Sequence, residues 1–150
     1  MGDSQLELER RIKAPIGEVF DRLADIEGIN DWQPTKGSIR RRSVQTSPGP
    51  VGLGTTYEDS TLFGKAPGEV SEFERPTRLV YHWRQSVAGK VLAEGWPGYT
   101  LEPVGDSETL VRHDVRLRTY AFYGPATPVL ARVARRERTA VLDALEASFA

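Results

Sequence analysis

The stretch Pro128-Val-Leu-Ala-Arg-Val-Ala-Arg-Arg-Glu-Arg-Thr-Ala-Val-Leu-Asp-Ala-Leu-Glu-Ala-Ser-Phe149 decides how the rest of the sequence must fold. It reads as one helix of about six turns at 3.6 residues per turn. Thr127 stands at the cap position and Pro128 at the first helical position, where a missing N–H costs nothing. At 100° per residue, Leu130, Val133, Ala134, Val141, Ala144 and Leu145 fall on one arc, with Arg135, Arg136 and Asp143 largely off it. A long helix with a single apolar arc must lie against another layer.

The preceding chain supplies that layer. From Lys36 to Arg118 the sequence breaks into short period-two runs separated by Gly and Pro, as consecutive antiparallel strands do. The runs are 38–46, 54–63, 68–74, 78–87, 91–102 and 109–119; Leu6-Glu-Leu-Glu-Arg-Arg-Ile12 adds a first strand, ended by Ala14-Pro15. Ile16, Val19, Phe20 and Leu23 recur at helical spacing, and a second short helical turn is predicted over 26–32. The fold class is therefore α+β: a seven-stranded curved antiparallel sheet wrapped around the C-terminal helix, with two short helices between strands 1 and 2. The whole of residues 1–150 forms one domain.

This order of elements accompanies a set of local motifs: Ala14-Pro15-Ile-Gly-Glu-Val-Phe20, Asp31-Trp32-Gln33-Pro34, Val51-Gly-Leu-Gly-Thr55, Phe73-Glu-Arg-Pro-Thr-Arg-Leu79 and Tyr99-Thr-Leu-Glu-Pro103. Together they resemble the START-related helix-grip (SRPBCC) superfamily, nearest its polyketide cyclase/dehydrase branch. The resemblance covers nearly the whole chain. It implies a deep apolar cavity between sheet and helix that takes a lipid, polyketide, steroid or other flat hydrophobic ligand. It does not choose among enzyme, carrier and receptor.

Composition removes several chemistries. The chain of 150 residues has no cysteine and only two histidines, His82 and His113, which excludes thiol catalysis, Cys-ligated zinc, iron–sulfur clusters and three-His metal sites. A formal net charge of -1 argues against nucleic acid as a partner, because such binding neutralises phosphates with clustered Lys and Arg. No run of 18 apolar residues suggests a membrane anchor, and a cytoplasmic protein is expected. Gly52-Leu-Gly54 leads into a strand and lacks the helix N-terminus of a phosphate cradle; no Gly-x-Ser-x-Gly elbow is present.

Strand alternation nominates the interior polar groups. His113 shares parity with Val111, Val115 and Leu117, so it faces inward, either as a proton shuttle or as a hydrogen-bonded core histidine. Asp59 lies in the inward set Thr55, Tyr57, Asp59, Thr61 and Phe63, unless a register slip turns it to water. Its partner would be His113 or an arginine; paired with His113 and flanked by Tyr57, it would form an acid/base set. Tyr81 and Trp83 face the pocket, while His82 falls on the opposite, exposed side. Trp96 and Tyr99 bring two aromatics to one place, and Trp32 either caps one end of the cavity or plugs a minor core.

Glu137 interrupts the apolar helical arc beside Val141 and should contact a strand arginine or the ligand. The runs Arg40-Arg-Arg42 and Arg132, Arg135, Arg136, Arg138 read as solvated basic surface, with Arg41 alone on the parity of Ile39. The expected cavity measures a few hundred Å³. The expected occupant is a hydrophobic or aromatic small molecule, cyclised or dehydrated by positioning and proton transfer without a cofactor. A non-catalytic carrier would use the same aromatics, and a solidly packed interface would point to an interaction module.

Overall fold

A computed structural model describes residues 2–35, 38–120 and 127–150, with the side chain of Thr127 outside that set, so the cap read for it lies outside the described residues. The elements run β1 (Gly2–Ile12), α1 (Ile16–Ala24), α2 (Ile29–Trp32), β2 (Arg40–Gln45), β3 (Thr56–Thr61), β4 (Gly64–Glu74), β5 (Arg78–Val87), β6 (Lys90–Pro103), β7 (Thr109–Thr119) and α3 (Thr127–Ser148). They form a seven-stranded antiparallel sheet in the order β1-β7-β6-β5-β4-β3-β2, with α3 against it. The expected architecture is the observed one. No described helix is long and apolar enough to cross a membrane.

Tight turns and bulges set the curvature. Thr61 pairs with Gly64 across a two-residue hairpin, which places Phe63 at an exposed tip instead of on the inner face expected for it. Ala88 and Gly89 both have positive φ, the conformation that joins two right-twisted strands through a two-residue loop, and Val87 pairs with Lys90 across it. Register shifts lie between Arg40 and Arg42, between Val70 and Glu72, and between Gln85 and Ser86. Each extra residue bends its strand and increases its twist, so together they roll the sheet around the helix.

The core is concentrated at one end of α3. Leu142 and Leu145 pack with Ile12, Val19, Phe20, Leu23, Val111 and Leu101. Outside this cluster, Arg10 reaches Asp143 at 2.7 Å and Glu146 at 2.8 Å. Arg22 donates to the Ser148 carbonyl at 2.8 Å and lies 3.7 Å over the Phe149 ring. Arg75 grips Asp21 through two hydrogen bonds of 2.8 and 2.9 Å, tying the β4–β5 turn to α1. The N-terminal half of α3 is different: Val129 and Val133 are exposed, so Val133 leaves the inward arc read from the sequence.

The inward stripe is Ala134, Glu137, Arg138, Val141, Leu142 and Leu145, spaced by alternating steps of three and one. Its apolar C-terminal part is docked. Its N-terminal part spans a cavity.

Unequal docking predicts unequal costs. Leu145→Ala should lose about 2–5 kcal/mol, as buried leucine truncations do. Val129→Ala should stay within about 0.5 kcal/mol. Urea denaturation of the two variants measures both.

Candidate functional site

The cavity between α3 and the sheet has a volume of about 170 Å³, smaller than expected from the sequence. One wall comes from alternate strand residues: Tyr57, Asp59 and Thr61 on β3, Tyr81, Trp83 and Gln85 on β5, Pro97 and Tyr99 on β6, Val115 and Leu117 on β7. Leu23, Ile26 and Ile29 close one side from the short helices, and Ala134, Glu137 and Arg138 of α3 cover it.

Two glycines make room for the aromatic wall. A Cβ on Gly68 would sit 2.3 Å from the Tyr57 ring, and one on Gly95 would sit 2.6 Å from the Trp83 ring. Each glycine is the cross-strand partner of the ring it accommodates. Without a side chain on the neighbouring strand, the ring can lie down along the sheet. Tyr57 then meets Tyr81 edge-on with centroids 5.5 Å apart, and the Tyr81 hydroxyl donates to the Leu23 carbonyl at 2.6 Å.

A polar set interrupts this apolar surface. Asp59 accepts a hydrogen bond from the Ser43 hydroxyl at 2.5 Å. Burial raises its pKa, against the lowering effects of that bond and of the nearby Arg40 charge. Tyr57 is held well above the usual phenol range, first by burial and then by the Asp59 charge, so it remains a hydrogen-bond donor at neutral pH. Arg40 donates from Nη1 to Asn30 Oδ1 at 3.0 Å and to Ser43 Oγ at 3.2 Å. Asn30 also binds the Ser43 backbone in both directions, which fixes β2 against α2.

Arg40 reaches the interior because of the bulge. Ser43 pairs with Asp59 and Arg42 with Ser60, but Arg40 pairs with Thr61, leaving Arg41 as the extra residue. Arg40 and Ser43 therefore share a face although they are three apart, and Arg41 is turned out to the Thr35 carbonyl. This corrects the reading of Arg40 as solvated. Arg138 is corrected for a separate reason: it lies one position after Glu137 and four before Leu142, on the inward stripe.

Glu137 faces inward as expected, and its hydrogen bonds run to the chain entering β2 and not to a strand arginine. Its Oε1 accepts from the Ser38 hydroxyl at 2.6 Å and from the Ile39 backbone N–H. The carboxylate thereby joins α3 to the chain entering β2.

His113 does not meet Asp59. Strands β4, β5 and β6 separate their two strands, and His113 lies outside the cavity lining. It is fully buried, stacked on Tyr99 with centroids 4.2 Å apart, and its Nδ1 contacts the Gly98 carbonyl at 2.7 Å. That contact requires the proton on Nδ1. Burial, and after it the charge of Arg138, lowers the imidazole pKa to about 3. The His113–Asp59 acid/base pair is therefore absent; of the two partners expected for Asp59 it is an arginine, Arg40, that stands near it, together with Tyr57.

Three other expected ligand contacts lie off the cavity wall. Pro97 and Tyr99 face inward, so Trp96, the residue before Pro97, points to the convex face, stacked on His82 at 4.5 Å and covered by Arg116 at 4.1 Å. His82 is correspondingly enclosed, with Glu94 3.1 Å from its Nε2, and is not the exposed residue expected. Trp32 packs against the core cluster rather than capping the cavity. Val141 is buried beside the docked leucines, one turn beyond Glu137 and Arg138.

Tyr81, Trp83, Tyr99 and Glu137 do line the cavity. Among the described residues, no group of three or more His, Asp or Glu is placed to hold a metal ion.

A family model described as polyketide cyclase / dehydrase and lipid transport matches residues 4–150, and the chain belongs to that family. No curated protein matches it by sequence. Among solved structures it is similar to the Zhui aromatase/cyclase from Streptomyces sp. R1128, with TM-score 0.75, 14% identity, and coverage of 97% of this chain and 93% of that one. It is also similar to a START superfamily protein from Mycobacterium smegmatis, with TM-score 0.74, 11% identity and coverage of 97% and 96%. The di-domain aromatase/cyclase StfQ of the steffimycin biosynthetic pathway gives TM-score 0.67 at 15% identity, with 96% of this chain matching 44% of that one. At these identities the likeness is one of fold.

The His113 environment has a measurable consequence. Its native pKa of about 3 lies below the ordinary 6.5, so between those values the unfolded chain binds a proton that the native state does not. Stability contributed by the neutral ring is full above pH 6.5 and is lost as pH falls toward 3. The limiting slope is about 1.4 kcal/mol per pH unit. Denaturant titrations at several pH values should show His113→Gln lacking this component, and NMR should find the wild-type ring neutral from pH 8 to 5.

Proposed function

We propose that this member of the polyketide cyclase/dehydrase and lipid-transport family binds a compact, flat, oxygenated hydrophobic molecule and promotes its cyclisation by proton transfer. The observation that carries the reading is a half-buried Asp59, its pKa raised by desolvation, beside Tyr57 and Arg40 on a cavity wall that also carries Tyr81, Trp83, Tyr99, Val115 and Leu117. A carboxyl whose pKa is moved toward neutrality can both take and return a proton at working pH.

The chemistry asked of the site is modest. In an intramolecular aldol closure, Asp59 removes a proton from the carbon between two carbonyls, and that carbon forms a bond to a ketone carbon of the same molecule. The phenol of Tyr57 donates a hydrogen bond to the oxygen that becomes an alkoxide, and the Arg40 charge stabilises the enolate. Asp59 returns its proton to the alkoxide to give the hydroxyl, then takes the second proton from the same carbon and delivers it to that hydroxyl, so that one water leaves as the ring double bond forms. The narrow cavity contributes by holding the two reacting carbons together and excluding solvent.

A second reading, a non-catalytic carrier, is favoured by one observation: His113, the inward imidazole, is locked to Gly98 away from the cavity lining. One pair of measurements separates the readings. With a soluble aryl poly-β-ketone, Asp59→Asn should lower turnover about 10²–10⁴-fold while leaving ligand affinity within a few-fold. Binding without turnover in the wild type would support the carrier and remove Asp59 from any reaction.

A further inference from the structure

Two guanidiniums border the cavity between α3 and the sheet. Arg40 spends Nη1 on two neutral groups, Asn30 Oδ1 and Ser43 Oγ, while its Nη2 is buried with no hydrogen-bond partner among the described residues. Arg138 enters from α3 beside Tyr99, whose phenol is raised by burial and lowered by the Arg138 charge. The two cations act on one another: after burial and against Asp59, the Arg138 charge helps hold Arg40 below its ordinary range.

Two like charges facing one low-dielectric space are costly unless an anion lies between them. The protein's own carboxylates answer this only in part. Glu137 Oε1 is engaged by the Ser38 hydroxyl and the Ile39 N–H. Asp59 is shifted by burial toward its neutral form.

We propose that the ligand carries a carboxylate, held between Arg40 and Arg138, on a body no larger than one or two fused rings. This rests on the reading that the cavity is the ligand site, and it specifies the substrate as a free acid. The planar guanidinium fork matches a carboxylate in a way that an ammonium does not. The ring lies against Tyr81, Trp83, Pro97, Val115 and Leu117, which form the apolar part of the wall. The volume of about 170 Å³ suits a body of this size. An apolar cavity of roughly 150 Å³ accepts benzene.

Benzoate and benzamide share shape and differ in charge, so they test the proposal by isothermal titration at pH 7. Benzoate should bind the wild-type protein at least about tenfold more tightly than benzamide, the scale of hydrogen bonds to charged groups. Arg40→Met and Arg138→Met should each reduce that preference several-fold while leaving benzamide affinity unchanged; thermal melts confirm that the variants are folded.

If benzamide binds the wild type as well as benzoate does, the carboxylate assignment is wrong and the cavity remains a ligand site. If benzoate preference survives both substitutions, the anion binds elsewhere and the assignment is equally wrong. If neither probe binds, the ligand-site reading fails and the proposal fails with it. The wild-type comparison stands even where one variant does not fold, and the other variant then tests the arginines.

Discussion

The whole arrangement depends on α3 being bound to the sheet along only part of its inward stripe. Leu142 and Leu145 are buried against β1, β7 and α1, while the preceding turns present Glu137 and Arg138 to the same side. An uninterrupted apolar stripe would let the helix settle onto the sheet along its length. Two ionic side chains in mid-stripe cannot be pressed into hydrocarbon without partners, so the surfaces remain apart where they stand. A cavity follows from a conflict of polarity within one helix.

The strands are adapted to that space. Gly68 and Gly95 allow Tyr57 and Trp83 to lie along the sheet, and the bulge in β2 turns Arg40 inward beside Ser43 and Asp59. Glu137 closes the loop by accepting from Ser38 and Ile39, which ties the helix to the strand that carries Arg40. The polar groups of the cavity are thus linked through β2 and α3, the two elements that frame its cover. The convex face holds a separate cluster in which Trp96 is stacked between His82 and Arg116, with Glu94 accepting from Tyr120 at 2.6 Å.

The architecture was legible because periodicity is a property of consecutive residues. The alternation in β3, β5 and β7 correctly orients Tyr57, Asp59, Tyr81, Trp83 and His113. Depth was not legible in the same way: parity turns His113 inward, but only its pairing with Tyr99 and its bond to Gly98 place it beneath the cavity wall. Bulges escape a reading of one strand because the extra residue is defined by the partner, so the sequence of β2 alone does not show that Arg40 turns inward.

Residue numbers alone decide two further positions. Trp96 and Tyr99 are three apart in a strand, and an odd separation without a bulge puts side chains on opposite faces. Arg138 sits four residues before Leu142 on the helix, so the preference of arginine for water should not have removed it from the inward stripe. The missed residues are the ones where a charged side chain occupies an apolar position in the pattern. Such conflicts between local preference and global fold concentrate where a protein binds something.

On the function proposed above, the space between α3 and the sheet admits a small hydrophobic molecule. Methyl-resolved NMR during titration with a one-ring aromatic compound measures this most directly, since Leu23, Ile26, Ile39 and Ala134 all border the cavity while Leu62 and Val129 are exposed elsewhere. The account predicts saturable shifts at the four bordering methyl residues with Leu62 and Val129 unmoved. Shifts confined to the exposed methyls, or none at all at saturating probe, would contradict it.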